Sequence, residues 1–246
     1  MYPTALEEHR RVSTDRDITV VLLPGLHGTG RLFEPLASTL SGQVPTQVIA
    51  YPPNERLSIA ACARFVASQL PKGRIVLLAE SFSGLVALTL LAWGTPSIEA
   101  VVFCGSFAEP PRRWLLRLAL LVPNVGWLIR WTPKFLLRGV CFGAPVSREQ
   151  LTLLRAAVQE VPSAMLTHRL RLVSTTRFST ETPFEVPCCY LRGRQDHFVP
   201  LRAARWFERH FKRFTLEEVE GPHFVLQTNP AACARLITGI VKDIES

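Results

Sequence analysis

Ser81 stands in Ala79-Glu-Ser-Phe-Ser83, with Gly84 next, between one apolar run and another. A serine hydroxyl there could act as a nucleophile if a base takes its proton and a carboxylate orients the base. The small-x-Ser-x-small pattern suits a sharp strand-to-helix turn. Such a turn holds the serine at strained backbone angles and leaves no room for large side chains two residues to either side. The usual form is Gly-x-Ser-x-Gly. Here Ala79 and Ser83 replace both glycines and still meet the steric demand. Alone the match is weak, because a serine ahead of a helix is also a common N-cap.

Partners for such a serine are few. The chain has four aspartates, Asp15, Asp17, Asp196 and Asp243, and six histidines, His9, His27, His168, His197, His210 and His223. His223, in Gly221-Pro-His223, is the natural base. His27, in Gly25-Leu-His-Gly28, is its serious rival, and His197, beside Asp196, is a weaker one. Asp196 also has a bland alternative as a turn or cap residue before Val199-Pro200.

The elements that carry these residues decide which of them can meet. Ile18–Leu23 reads as a buried strand stopped by Pro24-Gly25, and Val48–Tyr51 as a second stopped by Pro52-Pro53. Further strands are expected at Arg74–Ala79, Ala100–Cys104, Cys188–Leu191 and Phe214–Val219. Helices are expected at Ser58–Leu70, Phe82–Trp93, Leu201–Phe211 and Pro230–Ile244. Apolar strands alternating with helices imply an α/β fold, a mostly parallel sheet with helices on both faces. The rhythm breaks at residues 107–181, which read as a helical insertion rich in Leu, Arg and Trp. The core is then residues 1–106 and 182–246.

In such sheets a site forms at the C-terminal strand ends. Ser81, Asp196 and His223 each follow a strand there, whereas Asp15 and Asp17 precede the first strand and Asp243 lies in the last helix. The order Ser, Asp, His is the one expected for a serine on a nucleophile elbow. The backbone N–H groups of Leu26 and Phe82 are then the candidate oxyanion donors. Two Gly-rich alternatives fail: Gly25–Gly30 does not make G-x-G-x-x-G, and no G-x-x-x-x-G-K-[ST] occurs.

On Leu23–Gly28, Ala79–Gly84, Leu191–Pro200 and Gly221–Phe224, the sequence resembles the α/β-hydrolase family. The resemblance covers essentially the whole chain and casts residues 107–181 as the family's variable lid. Within the family the nearest look is to small carboxylesterases, including those that demethylate pimeloyl-acyl-carrier-protein methyl ester in biotin synthesis. It implies a serine carboxylesterase that needs no metal or cofactor. Its substrate would be a small-molecule or carrier-protein-bound acyl ester. A membrane-surface lipase or lysophospholipase, a thioesterase, and a non-catalytic binding protein on the same fold are the alternatives. Two features depart from the family: Pro24-Gly25 stands where many members have His-Gly, and the two leading antiparallel strands are compressed into the first 17 residues.

The chain has 246 residues, 28 Lys+Arg against 20 Asp+Glu, and a formal net charge of +8. An apolar fraction of 48% supports a large core and excludes disorder as the main state. The charge is not spread evenly. From Pro110 to Arg148 there is no acid, but seven cations: Arg112, Arg113, Arg117, Arg130, Lys134, Arg138 and Arg148. Trp114, Trp127 and Trp131 lie in the same stretch. Basic, Trp-bearing amphipathic helices suit an acidic protein, such as an acyl carrier, or an anionic membrane surface. An ordinary lid with Arg side chains snorkelling outward explains them equally well. Nucleic acid is a poorer fit, since a hydrolase pocket gives it no purpose. The N-terminus has acids where a secretion signal needs bases, so a cytoplasmic protein is expected. The six cysteines show no C-x-x-C and are read as reduced thiols, with adjacent Cys188 and Cys189 on opposite faces of a strand.

Overall fold

Ile18-Thr-Val-Val-Leu-Leu23 forms β1, a run of apolar and β-branched residues whose six positions are all buried. The structure is a computed structural model that describes residues 18–132 and 147–246. The expectations for Lys134, Arg138, Cys141 and the two leading antiparallel strands fall outside those residues.

Beyond β1 come α1 (Glu34–Leu40), β2 (Thr46–Val48), α2 (Ile59–Gln69), β3 (Arg74–Glu80), α3 (Ser83–Ala92) and β4 (Ile98–Cys104). Four helices follow among the described residues: α4 (Arg113–Leu121), α5 (Val125–Trp131), α6 (Arg148–Gln159) and α7 (Ser163–Thr175). The chain then returns through β5 (Cys188–Gly193), α8 (Ala204–His210), β6 (Phe214–Val219), the short α9 (Val225–Thr228) and α10 (Pro230–Glu245). The six strands form one parallel sheet in the order β2-β1-β3-β4-β5-β6. The expected α/β architecture, a parallel sheet flanked by helices, is therefore present.

Alternation along the strands builds two cores. Val21, Leu23, Leu77, Ala79, Val101, Phe103, Cys188 and Tyr190 face the side covered by α2, α3 and α8. Val20, Leu22, Val76, Leu78, Val102, Cys104, Cys189 and Leu191 face the side covered by α1 and α10. Cys188 and Cys189 thus take opposite faces, as a two-residue period requires. Phe103 anchors the first core, with ring centroids 4.4 Å from Phe207 and 5.7 Å from Phe211. The five cysteines among the described residues are free and buried.

Several boundaries differ from expectation: β4 begins at Ile98 rather than Ala100, β5 runs on to Gly193, and three others have a local cause. β2 spans Thr46–Val48 rather than Val48–Tyr51, two residues earlier at its start, and the Tyr51 N–H donates to the Gly28 carbonyl at 2.9 Å instead of continuing the ladder. The helix expected over Leu201–Phe211 begins as a 3₁₀ turn at Leu201–Ala203, and Phe211 leaves it to bridge Phe184. α3 starts at Ser83, one residue later than expected, because Phe82 occupies its N-cap position.

Phe103 is fully buried against the rings of Phe207 and Phe211, so removing its ring leaves a cavity in the core. Phe103→Ala should lower stability by about 3–5 kcal/mol in urea denaturation, with the slope unchanged.

Candidate active site

Sheet order and register decide what meets at the strand ends. Between β2-β1 and β3 the sheet reverses its direction of growth, the switch point where open α/β sheets leave a crevice. Leu23 lies opposite Ala79, Glu80 opposite Cys104, and Cys104 opposite Leu191, so β1, β3, β4 and β5 end almost level. The segments after Leu23, Glu80, Cys104, Gly193 and Val219 therefore converge on one edge.

Ser81 occupies the turn from β3 to α3 with φ 49°, in the left-handed region. Its N–H donates to the Cys104 carbonyl at 2.8 Å, extending the β3–β4 ladder into the turn. The hydroxyl does not cap α3. It lies 3.1 Å from His223 Nε2. On its other side, the His223 Nδ1–H donates to Asp196 Oδ2 at 2.8 Å. Asp196 Oδ1 accepts the N–H groups of Phe198 and Val199, both at 2.9 Å. The turn role and the histidine-partner role thus belong to the same carboxylate, one oxygen for each.

Gly105, just past β4, is what permits this proximity. Its φ is +52°, and a Cβ there would stand 3.0 Å from the His223 ring and 3.3 Å from Asp196 Oδ2. The structure therefore brings Ser81, Asp196 and His223 together in one hydrogen-bonded line.

His27 and His197 do not join that line. His27 is buried, and its Nδ1 accepts the Thr29 N–H at 3.1 Å, which places the ring proton on Nε2. That Nε2 stands 3.8 Å from Glu80 Oε2. His197 is exposed, and its carbonyl accepts the Arg112 Nε–H at 2.9 Å. Two cations singled out as partner-binding are thus half-buried and bonded to backbone carbonyls, because Arg130 also donates to the Val161 carbonyl at 2.6 Å. Arg113 and Arg117 are exposed.

The candidate oxyanion donors sit on anchored backbone. Phe82 follows Ser81 at the start of α3, and its ring is fully buried. Leu26 lies in the loop after β1, one residue beyond Gly25, and a Cβ built on Gly25 would be 3.7 Å from Ser81 Cβ. Three groups hold this loop. Ser83, at the second small position of the elbow, donates its hydroxyl to the Pro24 carbonyl and accepts from the Tyr51 hydroxyl. The Gly25 N–H donates to Glu80 Oε2 at 3.1 Å. Arg169 of α7 donates to the Leu26 carbonyl at 3.2 Å and the His27 carbonyl at 2.7 Å. The guanidinium fills the place a side chain at residue 28 would take: Gly28 has φ +72°, and a Cβ there would lie 2.1 Å from Arg169 Nη1.

Sequence reasoning missed Glu80, Ser83 as an anchor, and Arg169. Glu80 had a visible signal, an acid at the end of an otherwise apolar strand. Arg169 had none, since it stands between His168 and, two residues on, Arg171 in the same helix.

Glu80 is buried but not isolated: besides Gly25, it accepts Gln227 Nε2 at 3.0 Å. Burial alone would raise its carboxyl, but His27, Gln227 and His223 hold it below the usual carboxylate range. Burial would likewise raise Asp196, and the His223 charge and hydrogen bond, with the two backbone N–H groups, bring it down instead. For His223 burial opposes the imidazolium, yet Asp196 and then Glu80 outweigh it and raise the ring above its ordinary 6.5. The arrangement is a hydroxyl, a basic imidazole and an ionised carboxylate in series. It can remove a proton from Ser81 and return it elsewhere.

By NMR, His223 should titrate above 6.5 in the intact protein. Asp196→Asn should lower that midpoint strongly and Glu80→Gln by a smaller step, since each removes a negative charge that stabilises the imidazolium. An unchanged midpoint in Glu80→Gln would remove Glu80 from the electrostatics of the site.

Comparison with known proteins bears on the fold that carries these residues. Among solved structures, an esterase from Thermogutta terrifontis is similar at 16% identity and TM-score 0.74, covering 93% of this chain and 91% of that one. An esterase from Exiguobacterium antarcticum is similar at 15% identity and TM-score 0.76, with 91% of each chain covered. The type II thioesterase BorB of the borrelidin biosynthetic cluster is similar at 19% identity and TM-score 0.64, with 96% of each chain covered. At these identities the likeness is one of fold. No curated protein sequence matches. Residues 14–236 match the model of the Alpha/beta hydrolase family, and the chain belongs to that family.

Proposed function

We propose that the protein is a serine hydrolase cleaving acyl esters or thioesters through an acyl-enzyme. The observation that supports it most is the line from Ser81 Oγ through His223 to Asp196, with the serine held at φ 49°.

In this reading His223 Nε2 takes the Ser81 proton as Oγ attacks the substrate carbonyl. Asp196 holds the Nδ1–H, which fixes the tautomer that leaves Nε2 free to act as base. The carbonyl oxygen gains charge, and the N–H groups of Leu26 and Phe82 stabilise it, by on the order of 3 kcal/mol per donor. His223 then gives its proton to the departing alcohol or thiol. Water, deprotonated by the same nitrogen, releases the acid and restores Ser81. Residues 107–181 serve as a lid over the acyl site. No step calls for a metal or cofactor.

The substrate is an acyl group joined to an alcohol or a thiol. Delivery by an acidic carrier protein, as for a carrier-bound acyl methyl ester, is a narrower reading that rests on the basic charge of the lid alone.

Ser81→Ala should lower hydrolysis of p-nitrophenyl esters by roughly 10⁴-fold or more and abolish labelling by a fluorophosphonate. His223→Ala should do nearly the same, while His27→Ala should keep most of the activity. Persistent hydrolysis in Ser81→Ala would sink the assignment. A panel from acetate to palmitate, with matching thioesters, reads chain length and leaving group.

A further inference from the structure

α4 turns its apolar side outward. At about 100° per residue, Trp114, Leu115, Leu118 and Leu121 share an arc of roughly 120°. All four are exposed, Trp114 by 63% and Leu121 by 78%, and α4 has no buried residue. Arg113 and Arg117, also exposed, run along one edge of that arc. The next helix also exposes large apolar side chains, Trp127 by 53% and Trp131 by 50%. Large apolar side chains gathered like this are uncommon on a surface meant only for water.

We propose that the α4–α5 surface docks on an anionic lipid bilayer, lying in the headgroup plane with its Leu and Trp side chains inserted. An apolar arc bordered by arginines and rich in tryptophan is the design of an in-plane interfacial helix. Anionic lipid complements it, because no acid occurs from Pro110 to Arg148 to repel the headgroups. An acidic protein would read the arginines, but it gives the central Trp and Leu side chains no apolar phase to enter. The surface also begins beside the candidate site. Arg112 is tied to the His197 carbonyl, next to Asp196, and Leu116 packs on the cluster that holds Phe82 and Leu26. Docked in this way, the protein would take acyl esters of membrane amphiphiles. That last clause rests on the reading of Ser81 as nucleophile; the docking does not.

The test uses the full chain carrying Ser81→Ala, so that lipid is not consumed. It is sedimented with vesicles of phosphatidylcholine alone and of phosphatidylcholine with an equal part of phosphatidylglycerol. Binding should favour the anionic vesicles and weaken with added salt. Leu118→Ser/Leu121→Ser should weaken it at least about tenfold while leaving thermal unfolding unchanged, since both residues are exposed. Brominated acyl chains should quench tryptophan fluorescence, and less so in Trp114→Phe. The proposal fails if the anionic vesicles do not bind, or if the leucine double variant binds as well as its parent. It fails equally if the surface instead captures purified acyl carrier protein, or if it mediates a dimer that the double variant disperses. Hydrolysis of soluble p-nitrophenyl acetate by the wild-type chain reports separately on Ser81.

Discussion

The backbone of Ser81 is the constraint on which the rest depends. A serine at φ 49° costs about 1–3 kcal/mol and persists only where its surroundings over-determine it. β3 fixes the preceding residues within the sheet, and the Ser81 N–H is bound to the neighbouring strand end. The buried Phe82 ring and the Ser83 hydroxyl then fix the residues that follow. With both sides clamped, the hydroxyl has one direction in which to point, and the segments after β5 and β6 supply Asp196 and His223 along it.

The loop after β1 is held by opposite charges through opposite backbone groups. The Glu80 carboxylate takes an N–H at Gly25, and the Arg169 guanidinium gives its protons to carbonyls at Leu26 and His27. Neither ion meets the other; Arg169 is satisfied by peptide carbonyls, and Glu80 by the Gly25 N–H, the Gln227 amide and the nearby His27 and His223 rings. This keeps two costly buried charges solvated within the fold. It also fixes the peptide planes of the loop. Glu80 reaches further, through Gln227, to the segment just after His223, so one carboxylate connects three parts of the site.

Much of this was legible in the sequence where a single residue type meets a single physical demand. β-Branched runs ended by Pro-Gly read as strands, and Cys188 and Cys189 divided between faces as strand geometry requires. Only one aspartate and a few histidines follow a strand at the correct end, so the Ser81, Asp196, His223 order is readable from the chain alone. His27 could not be set aside from sequence, because its tautomer depends on the Thr29 N–H folding back onto it. Arg169 was invisible for the same kind of reason: its partners are carbonyls some 140 positions earlier, and carbonyls have no sequence signature. β2 ends before Tyr51, which is drawn to Gly28 and Ser83, contacts that no propensity encodes. The composition of α4 was plain, but the direction of its apolar arc follows only from how α4 packs through Leu116 on the opposite side.

The cysteines carry a consequence of their own. Cys62 and Cys188 lie in the core under α2, α3 and α8, while Cys104, Cys189 and Cys233 lie in the core under α1 and α10. Burial raises every one of these thiols, Cys62 and Cys189 to about 11 and Cys233 to about 12. In the native state they are therefore neutral and sealed, poor targets for alkylation. Each becomes reactive only when its own layer opens. The protein thus contains two sets of internal clocks, one per face of the sheet. Mass-resolved labelling of individual thiols can tell whether the two layers come apart together or in sequence.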